Sequence, residues 1–379
     1  MSSTLSTRRE TMNLHLMYDE KVISRTIKYF EEALPNDNKY VVLINHSHGG
    51  KRLVDLDLPN LIYTSYGTDA FWDFIGDTNQ YKYVILHYLG DELVDFTCSV
   101  PQTDSFVWLV WGGDLYNRLL SPFGFKLYAF TDFLDKGRLG TVLPCVYRYR
   151  ERRAIRKRIE AVKKIPNLAL FNGDLYALKK YFPKLQVNRK EFFYYPVDDM
   201  VDATLLNQQI VSNHIFVGNS ASLTNNHRMV FKMLSKCELG KRKVITPLSY
   251  GPELGKEVAL KWGEKLIKNN FYPLTDFLPL EDYNRLMLSA SIFIFGSYRQ
   301  EAVGNILVAL YLGGIVVLSP RNPFMRDLAE MGFTVFTLSH IKELLKYHLP
   351  DEVKQKNREL VVKWFSRKRL LQVIQSSFG

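Results

Sequence analysis

Apolar and polar positions alternate along this chain in two kinds of block. Short runs rich in β-branched and aromatic residues read as buried strands. Longer stretches with apolar residues three and four apart read as helices. The clearest example is residues 291–320, SIFIFGSYRQEAVGNILVALYLGGIVVLSP. Ser291–Phe295 predicts a strand, Gly296–Glu301 a polar loop, Ala302–Leu312 a helix, Gly313-Gly314 a tight turn and Ile315–Leu318 a second strand. Residues 302–320 carry no charge, so a membrane span is the competing reading. A span needs roughly 20 predominantly apolar residues, and Asn305 and Gly313-Gly314 interrupt this run.

The same alternation extends in both directions. In the first half, strands are predicted at Leu14–Tyr18, Tyr40–Asn45, Leu61–Thr64, Tyr83–His87, Phe106–Trp111, Leu168–Phe171 and Glu191–Pro196, with helices from Lys21 to Ala33 and over Tyr147–Lys164. In the second half, strands at His214–Val217, Lys243–Pro247, Phe271–Tyr272 and Thr334–Phe336 alternate with helices at Asn225–Leu234, Glu253–Trp262, Leu280–Leu288, Phe324–Met331 and His340–Tyr347. A last basic helix is predicted from Asp351 to Ser376. Internal repeats and low-complexity tracts are not evident. Strands separated by helices imply mostly parallel sheets. The more polar Val197–Leu206 suggests a boundary, giving an α/β chain of two doubly wound domains, residues 1–200 and 207–350. Residues 351–379 form a C-terminal helix expected to pack back on the N-terminal domain. Ligands of such folds bind beyond the carboxyl ends of the strands, in the cleft between the domains.

A length of 379 residues and 46% hydrophobic content fit two cores. The first residues lack the apolar stretch of a signal peptide, so the chain is expected to stay cytoplasmic. Cys98, Cys145 and Cys237 have no CxxC spacing and suggest neither a disulfide framework nor a zinc site. Net charge is +11, and Tyr147–Lys164 alone contributes +7. That basic helix, with Arg152, Arg153, Arg156 and Lys157, either lies against an anionic membrane surface or is a solvated helix with one face on the core. No helix-turn-helix, zinc finger or RNP-like motif accompanies the charge, so nucleic acid is not an expected partner.

Candidate chemistry lies in loops that leave strands. Gly218-Asn219-Ser220 and the following residues to Asn225 and His227 suit a diphosphate or sugar, or an ordinary strand–turn–helix connection. Tyr298, Arg299, Gln300 and Glu301 precede a helix whose first turn includes Gly304 and Asn305. An Arg there neutralises phosphate and a Glu accepts ribose hydroxyls, or the Glu simply complements the helix dipole. In the first half, Asp19, Glu20, His46, His48, His87 and Asp114 stand at strand ends. Asp114, in Trp108–Tyr116 (WLVWGGDLY), is the first candidate for a general base and His87 the second. No metal site is expected: His46 and His48 lack a third ligand of diagnostic spacing, and Asp198-Asp199 lacks the context of a metal-binding Asp-x-Asp. GxSxG, P-loop and GxGxxG patterns are missing.

Leu14–Ile23 (LHLMYDEKVI), Trp108–Tyr116, Gly218–His227 (GNSASLTNNH), Phe277–Tyr283 (FLPLEDY) and Phe295–Leu307 (FGSYRQEAVGNIL) together resemble one family. It comprises the bacterial TDP-N-acetylfucosamine:lipid II N-acetylfucosaminyltransferases, or 4-alpha-L-fucosyltransferases, of glycosyltransferase family 56. The resemblance spans residues 13–365. It implies a GT-B architecture, with the nucleotide-sugar donor on the C-terminal domain and the acceptor on the N-terminal one. It further implies no cofactor, and as acceptor a lipid-linked (undecaprenyl diphosphate) glycan of enterobacterial common antigen at the cytoplasmic face of the inner membrane. The basic helix would then hold a peripheral enzyme against anionic lipid. Ala221, Ser222 and Leu223, Gly113, and Gln300-Glu301-Ala302 depart from the family pattern and leave the sugar open. A GT-B transferase using a UDP- or GDP-sugar for capsule or lipopolysaccharide, and a non-catalytic basic glycan- or nucleic-acid-binding module, are the alternatives.

Overall fold

The structure is a computed structural model and describes residues 12–44, 52–130, 144–201, 210 and 212–379. Two parallel sheets organise the chain. The first contains β1 (Asn13–Tyr18), β2 (Asn38–Leu43), β3 (Leu61–Thr64), β4 (Tyr83–His87), β5 (Phe106–Leu109), β6 (Asn167–Ala169) and β7 (Asn188–Lys190), in the order β3-β2-β1-β4-β5-β6-β7. The second contains β8 (His214–Val217), β9 (Val244–Pro247), β10 (Phe271–Leu274), β11 (Ala290–Phe295), β12 (Ile315–Leu318) and β13 (Phe336–Thr337), in the order β10-β9-β8-β11-β12-β13. Helices cover both faces, so strands such as Ile315-Val316-Val317-Leu318 are buried throughout and show no polar alternation.

The helices are α1 (Ile23–Ala33), α2 (Asp69–Ile75), α3 (Asp91–Ser99), α4 (Pro144–Lys164), α5 (Asn172–Tyr181), α6 (His227–Leu234), α7 (Glu253–Leu266), α8 (Leu280–Leu288), α9 (Val303–Tyr311), α10 (Phe324–Glu330), α11 (Ile341–Leu344), α12 (Asp351–Phe365) and α13 (Arg367–Phe378). The uncharged segment 302–320 is therefore a short helix, a glycine turn and a strand. Among the described residues no helix is long and apolar enough to cross a membrane.

Two expectations need correction. The predicted helix over Asp351–Ser376 is two helices. Ser366 adopts an extended conformation, and its hydroxyl accepts the Arg369 N–H, capping α13. The break lets α12 lie on the second sheet's α9, where Arg358 donates to the Tyr311 carbonyl (2.9 Å), while α13 lies on α1, with Phe378 edge-on to Phe30. Glu191–Pro196 is not a strand either. The edge strand is β7, and beyond it the aromatic residues leave the sheet. Phe193 packs on Phe365, Phe192 on Phe30 and Tyr194 on Trp111. The boundary segment Val197–Leu206 falls outside the described residues from 202 onward. Asp198 and Asp199 are structural ties: Asp198 accepts the Arg367 N–H (2.6 Å), and Asp199 accepts the Tyr29 hydroxyl.

In each sheet the strand order reverses between two neighbours, β1/β4 in the first and β8/β11 in the second. Loops leaving such neighbours diverge and open a crevice. In the second sheet those loops are Gly218–Asn226 and Gly296–Ala302, the two that carried the candidate donor-binding residues.

Candidate active site

A cavity of about 390 Å³ lies between the sheets. From the first side it is lined by Trp111, Asp174 and the Tyr194-Tyr195 segment, and from the second by Asn219, Ser220, Ser222, Tyr250 and Arg299–Val303.

The second side is a hydrogen-bonded unit. Gly218 has φ +74°, and a Cβ there would meet His227 Nε2 at 2.6 Å and Asn225 Oδ1 at 2.9 Å, so glycine is required. Asn225 accepts the Asn219 N–H and donates to Ser220 Oγ, each at 3.2 Å. Thr224 donates to Glu301 Oε2 (2.7 Å), which also accepts from Ser297 (3.0 Å). Arg299 Nη2 pairs with Glu301 Oε1 at 2.9 Å, both side chains being nearly buried. Asn226 ties the loops together, donating to the Gly296 carbonyl (3.0 Å) and accepting the Ala129 N–H (2.8 Å). Three polar atoms of cavity-lining residues are buried without a partner among the described residues: Trp111 Nε1 on the first side, and Asn219 Oδ1 and Arg299 Nε on the second. Native proteins rarely leave such atoms unpaired, so those facing the cavity are candidate ligand contacts.

Ala302, which precedes α9, has φ +62°, and no side chain caps that helix. A non-glycine residue held there is strained, and α9 offers its first N–H groups beside Arg299. Across the cleft, Gly112 has φ +70°, and a Cβ there would lie 2.8 Å from the Gln300 carbonyl. The two sides meet at this glycine.

The structure brings Asn219, Ser220, Arg299, Gln300 and Glu301 into the cavity. The other predicted donor residues do not line it. His227 is buried in another small pocket, its pKa lowered to about 4 by burial. Asn225 is internal to its loop. Asn305 donates to the Tyr283 hydroxyl on α8. Gly304 meets the first half of the chain, where a Cβ would be 2.9 Å from Met200 Sδ. Tyr298 faces a neighbouring cavity.

Both catalytic candidates are set away from the cavity. Asp114 is fully buried, and its carboxylate accepts the N–H groups of Leu89 (2.8 Å), Trp111 (3.0 Å) and Leu115 (2.9 Å) and the Trp108 indole N–H (2.7 Å). Burial still holds its pKa above the usual range. Four donors leave it no room for an acceptor hydroxyl; it fastens the ends of β4 and β5. His87 is sealed between His15 (3.1 Å) and the Tyr194 hydroxyl (3.1 Å), and burial holds it well below the ordinary imidazole value. Asp19 accepts the Leu53 and Val54 N–H groups. His46 and His48 lie outside the described residues.

The residue that sequence reasoning missed is Asp174. It lies in the first turn of α5, lines the cavity, and accepts the Tyr116 hydroxyl at 2.5 Å. Burial raises its pKa to about 7, opposed by the Tyr116 and Phe171 donors and reinforced by the Asp327 carboxylate. Asp327 caps the same helix from the other side of the cleft, accepting the Asn172 N–H (2.6 Å) and the Gly173 N–H (3.0 Å), and burial raises it to about 6. The signal was present: Asp174 follows strand β6 as Asp114 follows β5, within the same tetrapeptide, GDLY.

Of the basic helix, Arg152, Arg153 and Arg156 are exposed. Lys157 is paired with Asp95 (2.6 Å), and Arg158 is buried, holding Asp91 and the Leu89 carbonyl.

Two facing doubly wound sheets, with a polar cavity at the switch point of the second, make up the GT-B architecture. Solved structures share the fold. They include a sucrose-phosphate synthase from Thermosynechococcus elongatus, 9% identical, with TM-score 0.66 over 96% of this chain and 98% of that one. HepE of Anabaena in complex with UDP-glucose is 11% identical, with TM-score 0.60 over 96% and 99%. WaaG, a glycosyltransferase involved in lipopolysaccharide biosynthesis, is 12% identical, with TM-score 0.56 over 97% and 98%. The sequence pattern described as 4-alpha-L-fucosyltransferase, glycosyl transferase group 56, matches residues 145–361, more than half of the chain, and the protein belongs to that family.

Proposed function

We propose that this transferase moves a fucose-type deoxyhexose, an N-acetylated 4-amino-fucose carried on dTDP, to a lipid-diphosphate-linked glycan at an anionic membrane surface. The observation that carries the donor half is the pair of unpartnered buried atoms, Asn219 Oδ1 and Arg299 Nε, beside the uncapped start of α9. Together they offer a cation, helix N–H groups and an acceptor to a nucleoside diphosphate. Glu301, held by Arg299, Thr224 and Ser297, presents a fixed carboxylate to hydroxyl groups of the donor. The exposed Arg152, Arg153 and Arg156 supply the attraction to anionic lipid.

In this reading Asp174 is the base. The acceptor hydroxyl oxygen bonds to the anomeric carbon, and the bond from that carbon to the phosphate oxygen breaks. The nucleoside diphosphate leaves with the electron pair, and the hydroxyl proton passes to Asp174. A base with pKa about 7 is matched to neutral pH. Arg299 and the α9 N–H groups stabilise the charge that develops on the leaving diphosphate.

A thermal-shift panel of dTDP, UDP, GDP, CDP and ADP tests the donor assignment. Stabilisation should be saturable and largest with dTDP, rising with concentration as ligand binding to the native state requires. A shift with UDP or GDP alone would replace the sugar nucleotide. No shift with any of them would remove the donor assignment of this cavity.

A further inference from the structure

Next to the cavity of Asp174 and Arg299 lies a second, of about 700 Å³. Gly173 and Tyr298 line it, each adjacent in sequence to a residue of the first cavity, so one wall separates the two. Four cationic side chains surround it: Lys126, Lys180 of α5, Arg321 in the turn after β12, and Arg326 of α10. No aspartate or glutamate is among the lining residues. Arg326 is answered by Glu330 at 2.9 Å. Among the described residues Lys126, Lys180 and Arg321 have no carboxylate partner, and Arg321 lies over the Tyr298 ring at 4.9 Å.

Asn322 makes this more than a basic surface. It lines the cavity and is 2% exposed. Its Oδ1 accepts the Phe324 N–H at 3.0 Å, which fixes the orientation of the amide. The opposite end, Nδ2, is buried with no hydrogen-bond partner among the described residues. A buried donor left without an acceptor, beside three cations with no carboxylate partner among the described residues, suits an anion with several oxygens.

We propose that this second cavity binds a diphosphate group distinct from that of the donor. Building on the transferase reading above, this is the diphosphate of the lipid-linked acceptor. Asn322 donates to one phosphate oxygen. Arg321 makes a planar paired contact with the diphosphate, and Lys126 and Lys180 act as point charges. The wall between the cavities would then keep the two diphosphates apart while the acceptor sugar reaches Asp174.

Calorimetric titration of the full-length protein with inorganic pyrophosphate tests the site without any turnover. Two binding events are expected. The double variant Lys180→Gln/Arg321→Gln should lose one of them, with at least a tenfold rise in its Kd, while Arg299→Gln should lose the other. Asn322→Asp keeps the acceptor for Phe324 and sets a negative charge in the cavity. It should reproduce the loss and covers the case in which the double variant does not fold. Wild-type stoichiometry and affinity in the folded variants would overturn the proposal. Flotation with neutral phosphatidylcholine vesicles, with and without a polyprenyl diphosphate, separates the sources. Retention that needs the polyprenyl diphosphate and falls tenfold in the double variant assigns the site to the acceptor. Equal retention of both proteins, with pyrophosphate binding lost in the variant, overturns the acceptor assignment in favour of free diphosphate. Failure of the dTDP assignment would leave untouched the binding event that Lys180→Gln/Arg321→Gln removes.

Discussion

The tetrapeptide Gly-Asp-Leu-Tyr occurs at 113–116 and again at 173–176, each time after one of two neighbouring parallel strands, β5 and β6. In the first copy the aspartate is surrounded by four hydrogen-bond donors and the tyrosine is fully buried. In the second the aspartate lines the cavity and the tyrosine, Tyr176, is largely exposed beneath the Arg326 guanidinium. The copies are coupled, because Tyr116 of the first donates to Asp174 of the second. One copy is scaffold and positions the other. The same four residues thus carry opposite roles, set by how many donors the fold supplies and by which copy faces the cleft.

Substitutions can separate the two. The largest effect is expected for Asp174→Asn, whose turnover should fall by 10²–10⁴-fold, the range of a lost general base. Nucleotide binding should persist, and an activity assay beside the thermal-shift panel would read both. Asp114→Ala should cost roughly 3–5 kcal/mol of stability in urea unfolding, because it leaves several buried donors unpaired. A loss under about 1 kcal/mol would deny it the scaffold role.

Tyr116→Phe removes a donor that favours the ionised carboxylate, so the Asp174 pKa should rise further. The rate at neutral pH should drop and recover as pH is raised, in a pH–rate profile whose wild-type limb lies near pH 7. Asp327→Ala should cost about 0.5–2 kcal/mol, the worth of a helix cap, together with looser contact across the cleft.

The last prediction concerns stability against pH. The folded-state pKa values of Asp174 and Asp327 are raised from 3.8 to about 7 and about 6. The folded protein therefore binds more protons than the unfolded chain between those limits. Their contribution to stability is complete below pH 3.8 and is lost as pH rises towards 7. Asp174→Asn should flatten that decline, and an unchanged slope would remove the raised pKa.

Much of the fold was legible because parallel strands buried on both faces must be apolar runs, and loops between them must be polar. β3, β4, β8 and β12 were predicted to the residue. The donor-side loops followed from the same logic, since Gly218 and Arg299 stand where strands end. What escaped depends on distant neighbours. Ser366 breaks a continuous helical pattern because α12 and α13 pack on different sheets. Glu191–Pro196 has strand-like composition, yet its aromatics pack into the cleft. Asp114 and Asp174 share their local sequence, and only the donors at Leu89 and Trp108 tell them apart. GDLY recurs in a chain without internal repeats, because four residues fall below any structural period.

The most direct test of this account is to measure turnover and unfolding side by side for Asp174→Asn and Asp114→Asn. Asp174→Asn is expected to be at least as stable as the wild type at neutral pH, where it relieves the buried ionised carboxylate, while losing turnover by at least 10²-fold. Asp114→Asn is expected to be destabilised, with its remaining folded fraction active. An active Asp174→Asn, or a stable and inactive Asp114→Asn, would contradict the assignment of scaffold and base.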